Sequence, residues 1–326
     1  MRSIPVYAPT GAATTDRGQQ MKTSRSVTPL RWFCRGLSAL VLVVVPLGHA
    51  SEHWDSVVIE TVPVSAGIYM LTGEGGNIGV SVGVDGTLII DDQYAPLAGK
   101  IEAALNRLAK GAPKFLINTH WHGDHAGGNE HFGRAGAIIV AHGKVREALK
   151  IDKTIPLFNM HKPPSPRAAL PVVTFEDRMM LHWNDHDMVL LHAPNAHTDG
   201  DAIVHFRDAN VIHMGDIFFN GFYPFIDTDS GGSIAGMIAA AERVLALADA
   251  HTKIIPGHGP LANRADLMAY RDMLVTAERA IRTLRDAGRT PDEIVAAKPT
   301  AALDPDWGKG FLAPDVWVRI VVSGMR

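Results

Sequence analysis

Asn118-Thr119-His120-Trp121-His122-Gly123-Asp124-His125-Ala126-Gly127-Gly128-Asn129 places three histidines and an aspartate within six residues. In an extended stretch, residues two apart point the same way. His120 and His122 can therefore hold one metal ion together. Asp124 and His125 follow at a turn and can hold a second. Imidazole and carboxylate without thiolate suit zinc, with iron or manganese as alternatives. Asp124 also fits as the cap of a helix starting near Ala126, a role compatible with metal binding.

Short apolar runs with turn punctuation surround this stretch. Strands are expected over 57–62, 68–71, 78–84, 87–91, 115–118 and 137–141, with turns at Gly75-Gly76-Asn77 and Asp85-Gly86. Leu97, Ile101, Leu105 and Leu108 have helical spacing and predict a helix over 96–108. Residues 152–171 hold five prolines and little periodicity, which predicts a long loop. A second set of strands follows over 172–175, 178–183, 188–192, 202–206, 211–214 and 253–255. Helices are expected over 236–247 and 267–284, and short helices over 291–326. Two strand-rich halves that each end in helices predict an α/β fold, an αββα sandwich of two mixed β-sheets flanked by helices.

The chain has 326 residues, 16 histidines and one cysteine. That balance excludes a disulfide scaffold and a structural zinc site built on several thiolates. Lys22, Arg25, Arg31 and Arg35 precede an apolar run over 37–47, and Gly48-His49-Ala50 ends it with small residues. This is the layout of a secretory signal peptide, and the run is too short to cross a bilayer comfortably. The expected division is residues 1–50 as N-terminal extension and signal peptide, and 51–326 as the working domain. Met21 offers a better signal start than Met1. Cleavage near Ala50 predicts a periplasmic or secreted protein that meets the membrane only through its signal. It also removes Cys34 with six bases and one acid, so the formal charge moves from −3 to −8. So acidic a body disfavours nucleic acid as a partner and leaves a small-molecule substrate.

With four further segments the sequence resembles the metallo-β-lactamase superfamily of zinc hydrolases, over nearly all of residues 57–290. His120, His122, Asp124 and His125 match its signature. Asn195-Ala196-His197-Thr198-Asp199-Gly200-Asp201 is similar to its second motif, His213-Met214-Gly215-Asp216 to its third and Pro256-Gly257-His258-Gly259 to its last. Ile89-Ile90-Asp91 resembles an early strand ending in an aspartate that orients a ligand. The resemblance implies two zinc ions per subunit. His120, His122 and His197 would hold one, Asp124, His125 and His258 the other, and Asp216 would bridge them. Asp124 and Asp216 would also orient the water that the metals activate for attack on a cyclic amide or ester carbonyl.

The sequence departs from the best-known lactamases of that family. They carry a cysteine ligand where Asp216 stands, and often a lysine where Phe219 stands. Export still favours a β-lactam as the leading substrate. A lactonase or a glyoxalase II-like thioester hydrolase is the alternative, followed by an iron-dependent sulfur dioxygenase of the same fold. A non-catalytic metal-binding protein is disfavoured by the intact ligand set. The glycine-rich stretch 72–77 is expected to flap over the metals. Phe219 and Tyr223 are candidates to line an apolar pocket, and Asn220 to donate to an oxyanion. Core packing and a turn compete for those roles.

Overall fold

The computed structural model describes residues 49–325. The first half contains helix α1 (His49–Ser56), strands β1 (Glu60–Ser65), β2 (Ile68–Thr72), β3 (Ile78–Gly83) and β4 (Gly86–Ile90), and helix α2 (Ala98–Leu108). Strand β5 (Phe115–Ile117), helices α3 (Gly123–Ala126) and α4 (Asn129–Arg134), strand β6 (Ile138–His142) and helix α5 (Gly143–Lys150) follow. Strands β7 (Lys153–Ile155), β8 (Met160–Lys162) and β9 (Val173–Phe175) complete that half. The second half comprises β10 (Arg178–Trp183), β11 (His186–Ala193), β12 (Asp201–Phe206), β13 (Val211–Phe219), α6 (Ile234–Leu247), β14 (Lys253–His258), β15 (Ala262–Asn263), α7 (Arg264–Asp286), α8 (Pro291–Ala296), α9 (Asp304–Trp307) and α10 (Pro314–Gly324).

Seven strands form one sheet in the order β1-β2-β3-β4-β5-β6-β9, and six form the other in the order β10 through β15. Both are mixed. β4, β5, β6 and β9 run parallel, as do β13 and β14, and the remaining pairs are antiparallel.

Side-chain alternation explains the layering. Leu88, Ile90, Ile117 and Val140 of the first sheet meet Met188, Leu190, Ala202 and Val204 of the second in one cluster between the sheets. Their neighbours Ile89, Leu116 and Ile139 point outward and pack with Ile101, Ala104 and Leu105 of α2. On the far side, Leu191, Ile203, Ile212 and Met214 pack with α6, α7 and α10 through residues such as Met237, Leu274 and Trp317. The period of two along each strand thus builds both an inter-sheet core and an outer helix-facing layer. This is the expected αββα sandwich.

Three local differences matter. The predicted loop 152–171 contains the β7–β8 hairpin, a ribbon separate from both sheets. β13 extends past the expected end to Phe219, because Gly215 takes a left-handed conformation (φ 51°) and the pairing with β14 resumes beyond it. β14 extends to His258 and brings that histidine to a strand end. The predicted signal segment lies outside the described residues apart from the start of α1. Among the described residues, no helix is long and apolar enough to cross a membrane.

Candidate metal centre

The metal-binding candidates converge from strands of both sheets and from the loops beside them. His120 and His122 follow β5, and His122 leads into the short helix that carries Asp124 and His125. His197 lies between β11 and β12, Asp216 within β13 and His258 at the end of β14. Two groups result, each with ligand atoms within 4.8 Å of one another. One is His120, His122, His197 and Asp216, and the other is Asp124, His125, Asp216 and His258.

Asp216 belongs to both groups and divides its oxygens between them. Oδ2 lies 3.6 Å from His197 Nε2 and 3.8 Å from His120 Nε2. Oδ1 lies 2.9 Å from His125 Nε2 and 3.4 Å from His258 Nε2. Asp124 Oδ2 stands 3.3 Å from His258 Nε2 and 3.7 Å from His125 Nε2. Glycine permits this crowding. A Cβ on Gly257 would fall 2.1 Å from Asp216 Oδ1, and one on Gly76 would fall 2.0 Å from His125 Cε1.

Four imidazoles are oriented by partners on the nitrogen turned away from the cluster. His125 Nδ1 lies 2.8 Å from Asp91 Oδ2. His120 Nδ1 lies 3.0 Å from Thr119 Oγ1, which itself donates to Asp91 Oδ2 at 2.7 Å. His122 Nε2 pairs with Asp227 Oδ2 at 3.0 Å, and His197 Nδ1 with the Phe225 carbonyl oxygen at 2.8 Å. These partners place the ring protons outward and the lone pairs inward. Asp91, expected to orient a ligand, contacts His125 and Thr119 from a left-handed backbone conformation (φ 65°) just past β4. Asp227 and the Phe225 carbonyl are additions. An isolated aspartate in an irregular loop has no spacing signature, so the sequence offered no signal for it.

This arrangement fits bound cations. Burial drives His120 well below the usual imidazole range and brings His197 down to about 4, so both present neutral nitrogens. His120 Nε2 is buried without a hydrogen-bond partner. At the second group burial acts downward on His125, but Asp216, Asp124 and Asp91 outweigh it and hold the ring well above its usual range. Three carboxylates there demand positive charge, from a proton or a metal.

A cavity of about 380 Å³ opens onto both groups. Phe219 lines it and stacks on His258, with ring centroids 5.1 Å apart. Asn220 and Tyr223, expected beside it, are placed elsewhere. The Asn220 amide donates to the Pro260 carbonyl oxygen at 3.0 Å, away from the oxyanion position expected for it. Tyr223 is buried, stacks on Trp317 and donates to Asp304 Oδ1 at 2.8 Å. The cavity instead takes Phe225, Phe158 and Phe311 from other segments. The stretch 72–77 is tied down at its end. Asn77 donates from its side chain to the carbonyl oxygens of Pro256 and Gly259, and the Gly76 N–H donates to the Asp124 carbonyl oxygen.

The family model described as metallo-beta-lactamase superfamily matches residues 71–262, more than half of the chain. The chain belongs to the metallo-β-lactamase superfamily. The expectation of a metal-dependent hydrolase stands with that membership. Among curated proteins, the chain is 25% identical to the acyl-coenzyme A thioesterase MBLAC2 of Bos taurus and of Homo sapiens, each over 162 residues. Those matches cover 45% of this chain and 56% of each relative, so the chain spans about half the length of the curated relatives it matches. A metallo-β-lactamase from Pontibacter korlensis superposes with a TM-score of 0.54 at 16% identity, over 66% of this chain and 98% of that one. A double mutant of the sec-alkyl sulfatase PisA1 gives 0.63 at 16% identity, over 82% of this chain and 51% of that one. These structural likenesses concern the fold.

Proposed function

We propose that the chain hydrolyses an ester or thioester of an apolar acyl group, using two zinc ions held by its paired clusters. One observation carries the substrate class. The cavity at the clusters is walled mainly by aromatic and aliphatic side chains, and among the described residues no lysine or arginine lines it. A β-lactam brings a carboxylate beside its reacting carbonyl that calls for a cationic partner, whereas the acyl part of an ester or thioester does not. The thioester alternative therefore stands ahead of the β-lactam reading. The MBLAC2 relatives, named as acyl-coenzyme A thioesterases, support the same order.

In this reading His120, His122 and His197 would hold one ion and Asp124, His125 and His258 the other, with Asp216 shared between them. Bound there, the ions supply an activated water and an electrophile for the carbonyl. The chain's own groups do the positioning. Burial acts upward on the Asp124 carboxyl, but His125 and His258 outweigh it and bring the group down to about 2. It remains an ionised acceptor at the cavity wall and orients the attacking water. Burial and the charges of Asp124, Glu74 and Asp216 push the Tyr94 phenol upward. Tyr94 lines the same cavity, and its hydroxyl stays a protonated donor for the carbonyl or the leaving group. We further propose that residues 1–50 direct export and that the substrate is a small molecule met outside the cytoplasm.

The test is metal analysis of the purified protein followed by assay of an acyl thioester, an aryl ester, an acyl-homoserine lactone and a chromogenic cephalosporin. Turnover of the ester or thioester, abolished by a chelator and restored by zinc, is expected. Turnover of the cephalosporin alone overturns the substrate class. Dominant iron with oxygen consumption replaces hydrolysis by the dioxygenase reading.

A further inference from the structure

Aromatic rings form a collar around the cavity, from one metal-binding cluster to the other. Phe219 stacks on His258 at 5.1 Å, and Phe311 lies 6.2 Å from Phe219. Phe158 lies 6.1 Å from Phe311 and 4.9 Å from Phe225, and Phe225 lies 5.8 Å from His122.

The two outermost members come from segments outside the sheets. Phe158 sits in the turn of the β7–β8 hairpin, which Asn159 closes in a left-handed conformation (φ 49°). Phe311 lies in the C-terminal segment between α9 and α10, beyond the residues that match the family model. Gly310 brings that segment against Phe222, where a Cβ would approach Phe222 Cβ to 2.7 Å.

Phe158 and Phe311 are not core residues. Phe158 is 36% exposed and Phe311 55% exposed, with Leu157 and Met160 also exposed on the hairpin. Large apolar side chains gathered at the mouth of a cavity mark a binding surface. A two-stranded ribbon alone is marginally stable. Here Ile155 is buried in the helix-side core and Lys153 Nζ bonds Ser230 Oγ at 3.2 Å.

We propose that Phe158 and Phe311, whose rings meet with centroids 6.1 Å apart, are the two jaws of an acyl-chain gate: they part to admit an apolar acyl group, its carbonyl at the metal clusters and its tail in the aromatic collar. The inference rests on the hydrolase reading of the site and adds its substrate class, compounds with an apolar acyl chain, and the residues that select it.

The experiment pairs binding with turnover. Calorimetry with acetate and with octanoate, the products of short and medium acyl substrates, is run on the zinc-reconstituted wild type, Phe158→Ala and Phe311→Ala. Both side chains are part-exposed, and zinc content and melting temperature verify that each variant is folded. The wild type is expected to prefer octanoate by at least about tenfold. Each variant should lose most of that preference through weaker octanoate binding. The kcat/KM values for p-nitrophenyl acetate and octanoate should follow the same pattern.

Equal binding of both acids by the wild type, or an undiminished preference in both variants, overturns the gate. Octanoate selected by the wild type and lost in the variants, with neither ester hydrolysed, supports the gate and overturns the hydrolase reading. Hydrolysis that is indifferent to chain length does the reverse.

Discussion

Asp91 Oδ2 lies 2.8 Å from His125 Nδ1, and both side chains are fully buried. The same oxygen accepts the Thr119 hydroxyl, which in turn meets His120 Nδ1. One carboxylate therefore orients imidazoles of both clusters. Asp91→Asn keeps the shape but weakens the acceptor. Zinc affinity should fall about 10- to 100-fold, read by competition with a chromophoric chelator, with the circular dichroism spectrum unchanged. Wild-type affinity in this variant would remove Asp91 from the site.

Asp227 makes the equivalent contact with His122 and has no part in the other cluster. Asp227→Asn should weaken one zinc equivalent and spare the second, whereas Asp91→Asn should weaken both. Zinc titrations of the two variants distinguish these outcomes. Asp227 also accepts the Ser230 N–H, a bond that the asparagine side-chain oxygen retains.

Gly257 passes so close to Asp216 that a methyl group has no room. Gly257→Ala should cost about 1–3 kcal/mol of stability by overpacking and also displace the bridging carboxylate. Urea unfolding and zinc content together check this. Stability lost with both zinc equivalents retained would show that Asp216 tolerates the shift.

His142 gives an acid response remote from the clusters. Its ring stacks on His192 at 3.8 Å, and its Nδ1 accepts the Lys144 N–H at the start of α5. Burial, His192 and Lys144 act downward on it, against the opposing Glu176, and leave it lowered. A histidine lowered in the folded state costs no stability above its unfolded pKa of about 6.5, and destabilises progressively as pH falls below that value. Protonation also removes the cap acceptor. His142→Asn supplies a neutral cap and should lose less stability between pH 7.5 and pH 5 than the wild type. Urea midpoints at the two pH values measure the difference. Equal losses would place the acid sensitivity elsewhere.

The members of the two clusters were legible in the sequence because four of them lie within six residues and the rest occupy short motifs in or beside strands of the second sheet. The layers were legible because apolar residues alternate along strands such as β11 and β12. The cavity wall was not. Asn220 and Tyr223 are near Asp216 in sequence, but the chain turns at Gly221 and aims them at Pro260 and Asp304. Phe158 and Phe311 lie far from the motifs in sequence, and tertiary packing alone brings them together. The proline-rich stretch concealed a hairpin because its strands are three residues each, too short to show a period.

Asp216 faces the two clusters through its separate oxygens, as the proposed pair of metal sites requires. Metal content per chain, measured by mass spectrometry on the wild type and on Asp216→Ala after zinc reconstitution, tests that pairing most directly. Two zinc equivalents are expected in the wild type and fewer than one in the variant. A single equivalent in the wild type, or two retained without Asp216, would contradict it.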